Sequence, residues 1–136
     1  MVVIFSLIMR KILVITLVLH AVFCFSCKKT EFSPEGPTDI RIRNISGTEL
    51  VNVSVKIKEE EILFGNIGIN ETTGYQRFET AFPKAYISAE VNDESLNTGP
   101  VDFTYMNYLG QNKITYDVSV ENKLIVIKNV TFDSPL

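Results

Sequence analysis

Three residue types that serve many protein sites are scarce or missing from this chain of 136 residues. It has no tryptophan, one histidine, His20, and two cysteines, Cys24 and Cys27. Residues 28–136 therefore contain neither an imidazole nor a thiol. Histidine acid–base catalysis, metal binding by histidine or cysteine, and nucleophilic dyads built on either residue are excluded from that stretch. Disulfides are excluded there as well, so the fold must rely on a hydrophobic core.

The first 26 residues are almost free of charge. Arg10 and Lys11 precede an apolar stretch that ends at Cys27. A short basic segment followed by a short apolar run and a small residue predicts a bacterial lipoprotein signal peptide over residues 1–26. Translation from Met9 would place both cations directly after the initiator. The alternative is a transmembrane anchor, which would carry each cation near mid-bilayer at a cost of about 2.5–3.5 kcal/mol.

The two cysteines differ in the residue that precedes them. Ser26, a small residue, precedes Cys27, whereas the bulky Phe23 precedes Cys24. Cys27 is therefore the predicted lipid acceptor and the first residue of the mature protein. The spacing of the two cysteines matches thioredoxin-like redox pairs, but that chemistry needs a strand-to-helix setting in a folded domain. An apolar export segment offers no such setting, so we interpret Cys24 as an ordinary apolar residue.

A change of composition separates the signal from the rest of the chain. Residues 27–37 are polar and contain two prolines, which predicts a flexible tether. Residues 38–136 are enough for one domain and too few for two. From Cys27 onward, 11 lysines and arginines stand against 16 acidic residues, a formal net charge of −5. Nucleic acid is not an expected partner, because phosphate binding needs clustered cations.

Apolar residues beyond position 37 recur at every second position, which predicts β-strands and no helix. Strands are predicted over residues 40–42, 51–57, 62–69, 75–79, 85–91, 101–105, 114–121 and 124–132. The polar segment 92–100 predicts a surface loop. Seven or eight strands at intervals of about 8–12 residues are typical of an antiparallel Greek-key sandwich, and a small closed barrel is the alternative.

The last two predicted strands are joined by Asn122-Lys123, a pair typical of a tight hairpin. The short connection requires the two strands to be antiparallel neighbours. On the apolar pattern we place Val118 and Val126 in the core. Gly65 and Gly68 interrupt the predicted strand 62–69 and indicate a bulge or turn inside it.

Several segments resemble uncharacterised small lipoproteins of Bacteroidetes-type bacteria that have an immunoglobulin-like sandwich. The matching segments are Cys27-Lys28-Lys29-Thr30-Glu31, Asn44-Ile45-Ser46, Gly74-Tyr75-Gln76-Arg77-Phe78 and Ile114-Thr115-Tyr116-Asp117-Val118. The resemblance implies an immunoglobulin-like sandwich anchored in a membrane by lipid on Cys27. Lysine rather than aspartate after the lipidated cysteine implies delivery to the outer membrane. Cys24 departs from the Leu, Val or Ile that the family prefers at that position.

No catalytic, metal or cofactor residues are predicted, and the expected function is that of a non-catalytic envelope interaction module. The alternatives are a carbohydrate-binding lipoprotein that stacks sugars on tyrosines and a hydrolase that uses carboxylates only. Asp93 and Glu94 could bind calcium weakly with neighbouring asparagines. Val101, Phe103 and Tyr105 share the core side of the predicted strand 101–105. Met106 and Tyr108 fall opposite that side and could form an exposed patch for a protein partner.

Overall fold

The computed structural model describes residue 4 and residues 33–136, so Cys27 and the predicted lipid site lie outside the described residues. Residues 33–136 contain no helix. The described residues include no helix long and apolar enough to cross a membrane. The strands of this region are β1 (Thr38–Asn44), β2 (Leu50–Ile57), β3 (Glu60–Ile67), β4 (Gln76–Phe78), β5 (Tyr86–Val91), β6 (Glu94–Asn97), β7 (Asn112–Glu121) and β8 (Leu124–Pro135).

The strands form two four-stranded sheets. The first sheet has the order β4-β1-β7-β8 and the second has the order β3-β2-β5-β6. All neighbouring strands are antiparallel except β1 and β7, which are parallel. The architecture is that of an all-β sandwich. No strand of residues 33–136 is shared between the two sheets, so the alternative of a closed barrel is wrong.

The core takes side chains from both sheets, as the period of two predicts. The first sheet contributes Ile40, Ile42, Phe78, Ile114, Tyr116, Val118 and Ile125, and the second contributes Leu50, Val53, Val55, Ile57, Ile67, Ile87, Ala89, Val91 and Leu96. Burying one such large aliphatic side chain stabilises the fold by about 1.5–3 kcal/mol. These residues supply the hydrophobic core on which the fold was expected to rely.

The hairpin of β7 and β8 is confirmed. Asn122 and Lys123 form its two-residue turn with φ of 49° and 62°, the left-handed values of a type I′ turn. The register pairs Val118 with Ile127 and Ser119 with Val126. Val118 is fully buried as predicted, but Val126 is only half-buried and faces away from the core. The core placement of Val126 was wrong, because the two-residue turn sets Ile125 on the core side instead.

The predicted surface loop 92–100 was wrong in part, because residues 92–97 form a turn and strand β6 and only residues 98–100 have no regular structure. Asn92 and Asp93 form the turn with φ of 52° and 64°, and the polar residues that follow form β6, which pairs with β5. This four-residue edge strand exposes Glu94 and Ser95 and buries only Leu96, so its composition resembles that of a loop.

Segment 101–105 is irregular, so the predicted sixth strand was wrong. The Asp102 carboxylate accepts hydrogen bonds from the backbone N–H of Thr104 at 2.9 Å and from its hydroxyl at 2.5 Å. An aspartate that bonds two residues ahead bends the chain, because the side chain competes with strand pairing. By contrast, the bulge indicated by Gly65 is confirmed, since the register of β2 and β3 shifts where Val53 faces Gly65 at φ 82°.

Residues 33–37 are the part of the predicted tether that the structure describes, and they lie against the domain. The Gln111 side chain donates a hydrogen bond to the Ser33 carbonyl at 2.9 Å. Gly36 packs on the backbone of Glu79 so closely that a Cβ would lie 2.0 Å from the Glu79 carbonyl oxygen. Any larger residue at position 36 would therefore displace this segment. The domain boundaries assigned from sequence stay a prediction.

Candidate functional site

The acidic loop considered for calcium has its polar groups engaged elsewhere. Both Glu94 carboxylate oxygens lie 3.0 Å from the Lys123 ammonium, and Asn97 Oδ1 accepts the Gly99 N–H at 2.8 Å. Asp93 occupies the turn position. The described residues contain no group of three or more histidine, cysteine or acidic side chains that could hold a metal ion.

The three consecutive glutamates 59–61 serve separate structural contacts. Glu59 lies in the turn between β2 and β3. Glu60 accepts the Glu79 backbone N–H at 3.0 Å, and Glu61 accepts the Ser54 hydroxyl at 3.0 Å. The structure therefore does not bring these carboxylates together as an acid–base pair.

The outer face of the first sheet carries a connected set of charges, which we call the ion-pair face. Its members are Asp39, Arg41, Arg43, Tyr75, Arg77, Thr115, Asp117 and Asp133. Arg43 binds Asp117 through two hydrogen bonds of 2.8 and 2.7 Å, and Arg77 binds Asp39 in the same way at 2.7 and 3.0 Å. These two-point contacts raise the pKa of both guanidinium groups.

Asp133 is the centre of the third cluster on the ion-pair face. It accepts hydrogen bonds from the Thr115 hydroxyl at 2.6 Å and the Tyr75 hydroxyl at 2.8 Å, and it pairs with Arg41 at 3.2 Å. Burial alone would raise the pKa of Asp133, but the Thr115 and Tyr75 hydrogen bonds and the charge of Arg41 outweigh it and lower that pKa. The guanidinium of Arg41 also lies 4.8 Å from the Tyr75 ring centre. The charges of this face thus satisfy one another.

A second surface is formed by residues 98–111, which connect β6 to β7 and which we call the aromatic loop. Its start is held by a hydrogen bond from the Thr98 N–H to the Ile87 carbonyl at 3.0 Å. Its end is held by the Leu109 N–H on the Ala81 carbonyl at 2.8 Å and by the Thr38 hydroxyl on the Gly110 carbonyl at 2.6 Å. A connection of this length without secondary structure is uncommon in a compact domain and often serves binding.

Aromatic side chains attach the middle of this loop to the domain. The Phe82 ring contacts Phe103 at 4.9 Å and Tyr108 at 5.0 Å between ring centres. The Lys58 ammonium lies 5.1 Å from the ring centres of both Phe82 and Tyr108. Beneath them the buried Tyr116 hydroxyl donates to the Phe82 carbonyl, and burial raises the pKa of Tyr116. The phenol therefore stays protonated and keeps its bond.

The exposed aromatic at the tip of the loop is Tyr105, which is 97% exposed. The sequence assigned Tyr105 to the core side of a strand and Met106 to an exposed patch, and both placements were wrong. Met106 packs against the core. Tyr108 is 44% exposed, as predicted when it was assigned to the exposed patch. The error followed from the strand assigned to 101–105, since a turn there breaks the alternation of faces. The signal that could have corrected these placements is the length of the connection between β6 and β7, which contains neither a helix nor a strand.

An apolar groove of about 390 Å³ lies between the aromatic loop and the start of β8. Its lining is mostly apolar with one charge of each sign: Lys84, Ala85, Thr98, Pro100, Val101, Asp102, Met106, Leu124, Ile125, Val126 and Ile127. Leu124 is half exposed at the mouth. Hydrogen bonds to Thr104 lower the pKa of Asp102, so this side of the groove is anionic at neutral pH.

Comparison with known proteins adds little to this geometry. No protein-family model matches the chain, and no curated protein is significantly similar to it. The fold is similar to that of a protein from Eubacterium rectale solved by NMR, with a TM-score of 0.45 and 13% sequence identity. The similarity covers 76% of this chain and 95% of that one. Similarity at this level carries no argument about function.

Proposed function

We propose that this protein is a lipid-anchored lipoprotein of the cell envelope whose immunoglobulin-like Greek-key domain is a non-catalytic binding module. Lipid on Cys27 would attach it to the outer membrane, and a polar segment would join the lipid to the domain. The partner we propose is another envelope protein. The binding surface consists of the aromatic loop and the adjoining groove.

The observation that carries the proposal is the way the aromatic loop is held. Its two ends are fixed by backbone hydrogen bonds, and Phe103 fixes its middle, yet the Tyr105 ring extends into solvent. A rigid support that presents an exposed tyrosine is a common feature of binding surfaces, because the ring supplies a large contact area at a small cost in conformational entropy. A loop held this firmly loses little further freedom when a partner binds.

Two further observations support a non-catalytic module. Residues 28–136 have no histidine or cysteine, and the carboxylates of Glu60, Glu61 and Glu94 have structural partners. Every buried side-chain nitrogen or oxygen among the described residues also has a hydrogen-bond partner. The charged side chains of the ion-pair face pair with one another, so they stabilise the fold and are not held ready for a substrate.

Photocrosslinking in intact cells tests the binding surface. Benzoylphenylalanine replaces Tyr105 in one variant and Leu63, a 66% exposed residue of β3 on the second sheet, in a control variant. We expect a light-dependent adduct of one defined mass from position 105 and none from position 63. Adducts from both positions, or from neither, would contradict the proposed surface.

Metabolic labelling tests the anchor. We expect labelled palmitate to be incorporated into the protein, and we expect Cys27→Ser to abolish the label and release the protein from the membrane fraction. Cys24→Ser is the matched control and should keep both. An unlabelled protein, or membrane attachment that survives Cys27→Ser, would contradict the lipid anchor.

The second candidate function is carbohydrate binding, which the exposed Tyr105 ring favours because tyrosine faces stack on sugars. The polar atoms beside the ring favour a protein partner instead. The Asp102 Oδ1 and the Thr104 hydroxyl bond to each other within the loop. A glycan array that gives hits lost in Tyr105→Ala would establish the carbohydrate function, and an array without hits would remove it.

A further inference from the structure

The strand pairings divide the connections of the domain between the two ends of the sandwich. Strands β1 and β7 are parallel, and β8 returns beside β7 so that Pro135 pairs with Asn112. The first residue of β1, Thr38, therefore lies at the same end as Asn112. We call this end the tether end, because residues 33–37 join the domain there. The opposite end holds the hairpin turn of β7 and β8, and we call it the turn end.

The last residues of the aromatic loop contact the tether. The Gln111 side chain donates to the Ser33 carbonyl at 2.9 Å, and a Cβ on Gly110 would lie 3.2 Å from the Pro34 carbonyl oxygen. The Gly110 carbonyl in turn accepts the Thr38 hydroxyl at 2.6 Å. These contacts hold the end of the loop and residues 33–37 together at the tether end.

The middle of the loop is supported by a connection at the same end. Strand β4 ends opposite the first residue of β1, and β5 begins opposite the last turn-distant residues of β2, so residues 79–85 join β4 to β5 at the tether end. Phe82 of this connection contacts both Phe103 and Tyr108 of the loop. Tyr105 lies between these two residues in the chain, so its exposed ring is presented beside the tether end.

The chain that joins the predicted lipid site to this end is short. Six residues lead from Cys27 to Ser33, and a fully extended chain spans at most about 3.6 Å per residue, or about 22 Å in all. Strand β7 has ten residues and measures about 33 Å at about 3.3 Å per residue. If the turn end faced the membrane, the tether end would lie at least one strand length from the head groups. The chain is too short for that orientation.

The contacts of residues 33–37 with the domain set this limit. If the chain were released as far as Thr38, the eleven residues after Cys27 would span up to about 40 Å, which exceeds the length of β7. Gly36 lies so close to the Glu79 backbone that there is no room for a side chain. The close packing of this segment therefore keeps the tether end near the membrane.

We propose that the tether end, with the aromatic loop, faces the membrane that holds the lipid, and that the partner is an integral protein of that membrane. This inference rests on the proposed lipid anchor and binding function, and it names the class of partner. A small soluble domain is about 30 Å in diameter, so it does not fit in a gap of at most about 22 Å. The exposed surface of a membrane-spanning protein needs no such gap.

The charge of the tether end favours a protein over the bilayer itself. Anionic lipids attract clusters of basic residues. The segments at this end are residues 33–37, the turn of β2 and β3, residues 79–85 and the aromatic loop, and together they contain four acidic residues and two lysines. The acidic residues are Glu35, Glu59, Glu79 and Asp102, and the lysines are Lys58 and Lys84.

Energy transfer to the bilayer tests the orientation without any partner. The chain has no tryptophan, so Tyr105→Trp and Ile69→Trp each introduce a single donor into the lipidated protein. Ile69 is 56% exposed and lies at the turn end, where the Asn44 N–H donates to the Glu71 carbonyl. The probe is a phosphatidylethanolamine–phosphatidylglycerol vesicle with dansyl-labelled head groups. We expect tryptophan 105 to lose most of its emission to dansyl and tryptophan 69 to keep most of it. Equal loss, or greater loss at position 69, would overturn the inference.

Tether variants test the cause of this difference. About ten Gly/Ser residues inserted after Thr30 add up to about 33 Å of reach, and Gly36→Val displaces the segment that packs on Glu79. Each should reduce the difference in emission loss between positions 105 and 69. The matched control Gly47→Val adds a side chain where a Cβ meets nothing within 4 Å, and it should leave the difference unchanged. A difference that the insertion leaves intact would mean that the bilayer holds the loop directly. A difference that Gly36→Val leaves intact would mean that residues 33–37 do not limit the reach. Either result would overturn the inference.

The crosslink from position 105 tests the class of partner. We expect the protein identified by mass spectrometry of the adduct to span the membrane, and to stay in the membrane fraction after alkaline carbonate extraction of cells that lack this chain. An adduct with an extractable protein would overturn the inference and leave the binding module in place. A lipid adduct, or an adduct of twice the mass of this chain, would assign the loop to the bilayer or to a second copy and would also overturn it. The absence of any adduct would contradict the proposed function itself.

Discussion

The ion-pair face and the groove both use strands of the first sheet, yet the first carries paired charges and the second is mostly apolar. On the ion-pair face, Asp39 and Asp117 each bind an arginine of a neighbouring strand, and Asp133 of β8 binds Arg41 of β1, two strands away. At the groove, the lining is mostly apolar, and Leu124 stays 50% exposed. Groups that satisfy one another contribute to stability. An apolar surface that the fold leaves partly uncovered is where we propose that a partner binds.

The largest expected effect separates the core side of the β7–β8 hairpin from its groove side. Val118→Asp places an unpaired charge in a fully buried position, which costs several kcal/mol against a total stability of about 5–15 kcal/mol. We expect this variant to be unfolded. Val126→Asp changes a half-buried residue on the opposite face and should cost about 1 kcal/mol or less. Thermal melts followed by circular dichroism measure both.

The matched control for this pair is the isosteric Val118→Thr, which should remain folded with a lowered melting temperature. If Val118→Asp stayed folded, or if Val126→Asp unfolded, the assignment of Val118 to the core and of Val126 to the groove side would be wrong.

The same hairpin shows how much of the fold could be predicted from the sequence. Its strands, its pairing and the burial of Val118 follow from alternation and a two-residue turn. Val126 did not follow from alternation, because residues 124–127 are all apolar and give no phase; the two-residue turn pairs Val118 with Ile127 and so places Val126 on the opposite face. Cross-strand geometry is a property of two segments together, and one segment does not encode it alone.

The candidate site was less predictable than the core, for a local reason. Residues 101–105 alternate as a strand would, but the Asp102 side chain captures the Thr104 N–H and bends the chain. This moves Tyr105 into solvent and Met106 toward the core. The ion-pair face was equally hidden, because its pairs join residues such as Arg43 and Asp117 that are 74 positions apart.

An intermediate effect is expected on the ion-pair face. Asp133→Asn weakens contacts with Thr115, Tyr75 and Arg41 and should cost about 1–2 kcal/mol of unfolding free energy at neutral pH. The folded pKa of Asp133 is lowered below its ordinary 3.8, so its contribution is complete above that value. It is lost as the pH falls through the folded pKa. Urea denaturation of wild type and variant at a series of pH values should therefore give curves that converge in acid.

The control for this prediction is Asp93→Asn, the same chemical change at an exposed turn position that asparagine also tolerates. It should shift stability by less than about 0.5 kcal/mol. A gap between wild type and Asp133→Asn that stays constant down to acid pH would show that the carboxylate charge does not stabilise this face.

The smallest expected effect on stability is at Tyr105, where the effect on binding should be the largest within the aromatic loop. Tyr105→Ser removes a 97% exposed ring and should change the unfolding free energy by less than about 0.5 kcal/mol. Tyr108→Ser removes the ring contact with Phe82 and should cost about 0.5–1.5 kcal/mol. Urea denaturation measures the unfolding free energy, and the affinity for the partner identified by photocrosslinking measures binding. If Tyr105→Ser destabilised the fold more than Tyr108→Ser, the Tyr105 ring would contribute to packing rather than to binding. The contrast between the ion-pair face and the proposed binding surface would then be wrong at Tyr105, the most exposed residue of that surface.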